Sequence, residues 1–222
     1  MKRGKQKAAF IFGLILLTAC GAQTSQATPQ LVNVYVTSAA STQLTHLYNC
    51  STPSTAILLS DSQSADITLR LGPPNSLLSP TFQIGTDDVD VIVQSQNNID
   101  NLTADPVQSI FLGQVTNWKD VGGSDMPIQV WTYSPDEDIQ QIFSRAVMND
   151  QQVISSARLA VSAQNMSDSV ANNTGSIGFL PRSLETSNVK SVYQIASVPV
   201  LAITKSTPQG AVKELIACLQ SK

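Results

Sequence analysis

Ile110-Phe-Leu-Gly-Gln-Val-Thr-Asn-Trp-Lys-Asp-Val-Gly-Gly123 decides how the chain is read. Just before it, Asn101-Leu-Thr103 opens an apolar segment. Thr103 suits a helix N-cap, and Asp105 falls in the first turn, where the positive end of the helix favours an acid. Phe111-Leu-Gly113 ends that helix, because glycine enters a left-handed C-cap at little steric cost. Trp118 follows the stop and is expected to be exposed, and Gly122-Gly123 is the exit. A second marker lies downstream in Thr174-Gly-Ser-Ile-Gly-Phe-Leu180, a strand over 176–180 closed by Pro181. Neither stretch carries a catalytic signature.

Working outward, alternation and β-branched content predict strands at 31–36, 55–59, 66–71, 81–85, 89–94, 128–132, 176–180, 193–195 and 199–204. Asp87-Asp-Val-Asp90 reads as an acidic turn between two of them. Helical spacing predicts helices over 41–49, 103–113, 139–148 and 208–219, with a short one within 151–172. Ile139, Ile142, Phe143, Ala146 and Val147 share one helix face; Ala211, Leu215, Ile216 and Leu219 share another. The β-loop-α-β beginning suits an open α/β lobe with a mostly parallel sheet. In such sheets ligands gather at the carboxyl ends of strands, beside helix N-termini.

The 222-residue chain is 42% hydrophobic and 13% charged, with a net charge of -3. It is too apolar for a disordered chain and has no basic footprint for nucleic acid. Lys2, Arg3, Lys5 and Lys7 precede an apolar run from Ala8 to Leu17, the pattern of a targeting segment. Leu17-Thr-Ala-Cys20 fits a bacterial lipobox. The expectation is a signal peptide over 1–19, a lipidated Cys20 and a polar tether over 20–30. The mature protein would then be extracytoplasmic, bound to the membrane by its acyl chains. Cys50 and Cys218 remain, in a compartment where disulfides persist. They form either a bridge, if the chain ends pack together, or two buried thiols.

Catalytic chemistry has little support. The single histidine, His46, sits mid-helix and reads as structural. There is no Gly-x-Ser-x-Gly elbow, zinc motif or phosphate-cradling loop, so neither enzyme activity nor a cofactor is expected. The acids Asp136-Glu-Asp138 could attract a hard cation, but their place before Ile139 reads as helix capping.

With Ile110–Gly123 and Thr174–Leu180 on the page, the chain resembles the phosphate-binding-protein-like (PstS-like) branch of the periplasmic solute-binding proteins. The resemblance implies a two-lobed α/β fold with mixed, mostly parallel sheets and a hinge. Lobe I would comprise 31–87 and 183–222, and lobe II 88–182, with crossings near 86–90 and 180–186. It also implies a monomeric, lipid-anchored solute-binding protein serving the permease of an ABC-type importer. In that branch an oxyanion is held in the cleft by hydroxyls, backbone N–H groups and an Arg. The matching positions are Ser38, Ser41 and Thr42 in the first loop, Ser60 in the second, and Tyr133 and Ser134 in the third. The third loop departs from the family's Arg-Ser-x-Gly-Ser-Gly-Thr: it reads Tyr133-Ser-Pro-Asp-Glu-Asp-Ile139 and sets carboxylates where a phosphate would be repelled. Arg70 either supplies an alternative positive charge or lies on the surface. Tyr133 or Trp131 could stack an organic solute, though strand alternation buries one of the two. Two other readings stay open: a ligand-free envelope sensor or interaction module, and an oxyanion site kept by other residues.

Overall fold

The computed structural model describes residues 28–76 and 78–221. The signal peptide, Cys20 and most of the tether lie outside the described residues. The elements run β1 (Gln30–Val36), a 3-10 turn at Ser38–Ala40, α1 (Gln43–Asn49), β2 (Thr55–Leu59), β3 (Ile67–Leu71), β4 (Thr81–Gln94) and α2 (Ala104–Phe111). A turn at Trp118–Val121 leads to β5 (Gln129–Thr132), α3 (Asp138–Ala146), β6 (Arg158–Leu159), α4 (Ala163–Ala171) and β7 (Ser176–Pro181). β8 (Val189–Thr204) and α5 (Gly210–Gln220) complete the chain.

The strands form one mixed sheet in the order β2-β1-β3-β8-β4-β7-β5-β6. β1 pairs in parallel with β2 and β3, and β5 with β7 and β6. The pairings of β8 with β3 and β4, and of β4 with β7, are antiparallel. This is the α/β architecture expected from the periodicity, gathered into a single sheet.

Two expected strand pairs are each one continuous strand. β4 spans 14 residues and β8 spans 16, and they pair from Thr81–Ile203 to Gln94–Val189. At about 3.4 Å per residue, β4 is about 45 Å long. The acids of 87–90 lie inside it, with Asp87 opposite Val198 and Asp88 opposite Ser197. They are accommodated because Arg182 binds both Asp90 and Asp88, while Ser183 binds Asp87. Register shifts after Gln83, Val89 and Val91 bend the ribbon where it changes partners.

Apolar residues gather in two clusters. One joins α2, α3, α4, β7 and part of β4, and takes in Val189 and Val192 of β8. At its centre Phe143 stacks on Phe179 with ring centroids 4.2 Å apart, and Phe111 and Tyr133 close around the pair. The other cluster packs α1 and α5 on β1 and β3. There Cys50 and Cys218 form a disulfide with Cα atoms 5.8 Å apart, which closes the alternative left open by the sequence.

The opening stretch is anchored by three buried side chains, Ile110, Phe111 and Trp118, with the residues between them part-buried or exposed. Gly113 adopts φ +76°, and a Cβ there would meet Ile154. Trp118 is not exposed as expected but fully buried, at 0%. Its indole N–H donates to the carbonyl of Gly175 at 3.1 Å, and Gln129 N–H donates to the same oxygen at 2.9 Å. Asn117 Oδ1 accepts from the backbone of Lys119 and Met126, fixing the turn that directs the indole inward. The two sequence markers therefore bind each other.

Candidate functional site

The site builds up from the carboxyl ends of β1 and β3. Alternation along β3 buries Ile67, Leu69 and Leu71 and turns Thr68 and Arg70 to the other face. Tyr35 lies opposite Thr68 in the parallel pairing of β1 with β3. Thr37 leaves β1 directly into the 3-10 turn. From the far side, the turn into α3 and the first residue of that helix bring Asp136, Glu137 and Asp138 over these strands. Together with Ser62 of the loop after β2, they enclose a pocket of about 290 Å³ lined by Tyr35, Thr37, Thr68, Arg70 and the three acids.

Asp138 is the hub, although only 2% exposed. Thr37 Oγ1 donates to its Oδ2 at 2.7 Å, and the backbone N–H of Leu71 donates to the same oxygen at 2.8 Å. The N–H of Ile139 donates to Oδ1 at 2.8 Å. A buried carboxylate needs such donors, since an unpaired one would be too costly to ionise. Capping is thus only part of its work. The N-cap residue is Glu137, whose side chain makes no cap bond, while Asp138 reaches from inside α3 to two other segments.

Arg70 supplies the pocket's cation. Its guanidinium donates to Gln141 Oε1 at 3.2 Å and to its neighbour Leu71's carbonyl at 3.4 Å. Burial lowers its pKa, with Asp138 opposing that shift. Glu137 is held above the usual carboxylate range by burial first, then by Asp138 and Asp136. Burial first, then Glu137 and Asp138, raises Tyr35. The pocket therefore presents one guanidinium against three carboxyl groups.

Of the residues expected from sequence, Arg70 lines this pocket, and Thr37 and Ser62 line it from within the first two expected loops. Ser38 is used elsewhere: its Oγ accepts from Ala163 N–H at the start of α4, at 2.6 Å. Ser41 and Thr42 border α1, and Thr42 makes no side-chain cap bond. Ser60 donates to the adjacent Asp61 carbonyl. Tyr133 is not placed at the pocket with Arg70; it is 2% exposed in the aromatic core and its hydroxyl donates to Phe179's carbonyl. Ser134 is exposed in the turn, its carbonyl accepting from Glu137 N–H. Thr37, Thr68, Ser62 and Asp138 were absent from the expected set. The rule placing ligands beyond strand ends points to the first two; nothing local marks Asp138.

A larger hollow of about 480 Å³ lies on the other side of α3, between Gln140, Arg145 and Gln151. Its arginine is already bonded to Asn75, and it does not draw together the ends of β1 and β3. The smaller pocket is the better site on that ground. Among the described residues no group of three His, Cys, Asp or Glu is arranged to hold a metal, and no helix is long and apolar enough to cross a membrane.

A family model described as PBP superfamily domain matches residues 81–220. Among solved structures, the fold is similar to a putative phosphate ABC transporter substrate-binding protein from Clostridium perfringens with bound phosphate. That match has 18% identity and a TM-score of 0.76, and covers 86% of this chain and 93% of the other. An ABC-type phosphate transport receptor from Vibrio cholerae matches at 23% identity and TM-score 0.67, over 86% and 94% of the two chains. The reduced OxyR regulatory domain from Pseudomonas aeruginosa matches at 11% identity and TM-score 0.60, over 89% and 100%. At these identities the likeness is one of fold.

Proposed function

The chain belongs to the PBP superfamily, and from that premise we propose that it is the solute-binding component of an ABC-type importer, acting outside the cytoplasm and held at the membrane by a lipid on Cys20. The observation that carries the reading is the convergence of four separate segments on the pocket of Arg70. The role is binding and not catalysis. The chain divides into lobe I (31–87 and 183–222) and lobe II (88–182), and the long β4–β8 ribbon joins the two apolar clusters. A solute that touches both halves favours the closed arrangement by its differential affinity.

Phosphate is the ligand named for two of the similar structures, and it fits poorly here. Asp138 already occupies three donors, and Asp136 and Glu137 stand beside them. A dianion brought near such groups meets repulsion of several kcal/mol, about 4 per unit charge pair at 4 Å in a partly shielded site. The solute class supported is neutral or cationic, with hydrogen-bonding groups for Thr68, Ser62 and Tyr35. A thermal-shift panel of sugars, amino acids, polyamines and oxyanions tests this. At least one neutral or cationic solute should raise the melting temperature, and millimolar phosphate should not. A flat response across the panel sinks the transport reading in favour of a second one, a ligand-free envelope sensor or interaction module. That reading is favoured by the internal satisfaction of Asp138's donors.

A further inference from the structure

The bonds to Asp138 have an unusual origin. Thr37 and Leu71 lie 101 and 67 residues from it in sequence, and only Ile139 belongs to its own helix. Each donor stands where the chain leaves a strand or enters a helix: Thr37 after β1, Leu71 at the end of β3, Ile139 in the first turn of α3. One hydroxyl and two backbone N–H groups converging from three segments form a cradle for a small oxyanion. The group found in it is a side-chain carboxylate.

We propose that Asp138 is an internal oxyanion surrogate: its carboxylate fills a cradle of donors suited to a free oxyanion and, by doing so, latches the start of α3 onto the ends of β1 and β3. The inference deepens the receptor reading above and rests on its assignment of the pocket. Three observations support it. The carboxylate is almost fully buried, so its charge rests on these donors as a bound anion's would. Among the described residues, none of the ion pairs within 4 Å includes Asp138, so it is held by hydrogen bonds, with Arg70 acting only from across the pocket. A helix-capping carboxylate has no need of Thr37 or Leu71, yet both bonds fall on one oxygen, Oδ2. The consequence is selectivity by occupation: a free oxyanion finds the donors taken, and the space left beside Arg70 and Glu137 suits a group that brings no negative charge.

Chemical rescue tests the proposal. Asp138→Ala removes the carboxylate and leaves the donors facing a space the size of a small carboxylate. Purified wild type and Asp138→Ala are melted in sodium formate, acetate and phosphate, each against sodium chloride of equal ionic strength. The variant should melt below wild type and recover by about 3 °C or more in tens of millimolar formate, with no such response in wild type. Phosphate stabilisation confined to the variant would also support the cradle. Asp138→Ser, which keeps a small acceptor for Ile139 N–H, provides the same readout if Asp138→Ala does not fold. Adding Thr37→Val should weaken the rescue by removing one donor. The proposal is overturned if formate does no more than chloride in the folded variants, or if phosphate stabilises wild type. Because the rescue is read on the variants, a wild type that binds no solute from the panel refutes the receptor reading and leaves this result standing.

Discussion

Removing the Cys50–Cys218 bridge should cost a large share of the protein's stability. The two residues are 168 apart in sequence, and the bond closes α1 against α5 within the second apolar cluster. On the chain-entropy model a loop of that length is worth about 5 kcal/mol at 25 °C. One structural fact could shrink the relevant loop. If the first cluster stays folded while the second opens, the β4–β8 ribbon keeps the interior of the loop short-circuited. The free chain is then about 60 residues, and the same expression still gives about 4 kcal/mol. The logarithm makes the estimate insensitive to the unfolding route. Since whole domains are stable by only about 5–15 kcal/mol, either value is severe. Urea unfolding of oxidised wild type and of Cys50→Ala/Cys218→Ala, followed by circular dichroism, measures it. Hydrogen exchange should show α1 and α5 losing protection before α2, α3 and α4. A loss under about 1 kcal/mol would refute the reasoning, as would exchange rising first around Phe143 and Phe179.

Two further outcomes follow from single side chains. Trp118→Phe should cost about 1 kcal/mol, since Gly175's carbonyl keeps its bond from Gln129, whereas Trp118→Ala should cost about 3–5 kcal/mol by emptying a buried site; near-equal losses in denaturant titrations would show that packing was misjudged. Burial and the neighbouring Asp90 raise Glu185 to about 7, in a group that also contains Arg182, Asp87 and Asp88. The folded chain then holds a proton that the unfolded chain releases near the ordinary carboxylate value, so this contribution to stability is full below that value and is lost as pH rises through about 7. Melting temperature should fall between pH 5 and 8 in wild type, and Glu185→Gln should flatten the fall; an unchanged slope would assign it to other groups.

What the sequence revealed was local. Gly113 could be placed as a helix stop because positive φ favours glycine, and β1 and β3 because alternation is a property of neighbours. The continuous β4 was hidden because three acids within four residues look like a turn, and their compensation comes from Arg182 and Ser183, more than 90 residues away. Trp118 looked exposed because its hydrogen-bond partner, Gly175, lies 57 residues downstream. The expected site residues were dispersed in the same manner. Hydroxyls at the expected loops were placed near the right strand ends, but Ser38 was taken by α4 and Tyr133 by the aromatic core. Side chains with two plausible partners are assigned by the tertiary structure, and a one-dimensional pattern carries no term for that competition.

The three acids at the start of α3 show how one short run divides into distinct physical roles. Asp136 is exposed and keeps its hydration. Asp138 exchanges water for three protein donors, which makes its buried charge tolerable. Glu137 lies between these limits: half-buried, next to two other carboxylates, and without a side-chain cap bond, it holds its proton more tightly than an ordinary glutamate. Asp138 is the second cause of that shift after burial, so the residue held by the three donors also acts on the wall facing Arg70. Taking away Asp138's charge should both free the oxyanion cradle and ease Glu137's ionisation. An oxyanion entering the emptied cradle would still meet the carboxyl groups of Asp136 and Glu137 beside it. That opposition explains why a monoanion such as formate should rescue the variant more readily than phosphate does, and why the order of the two is the sharper measurement.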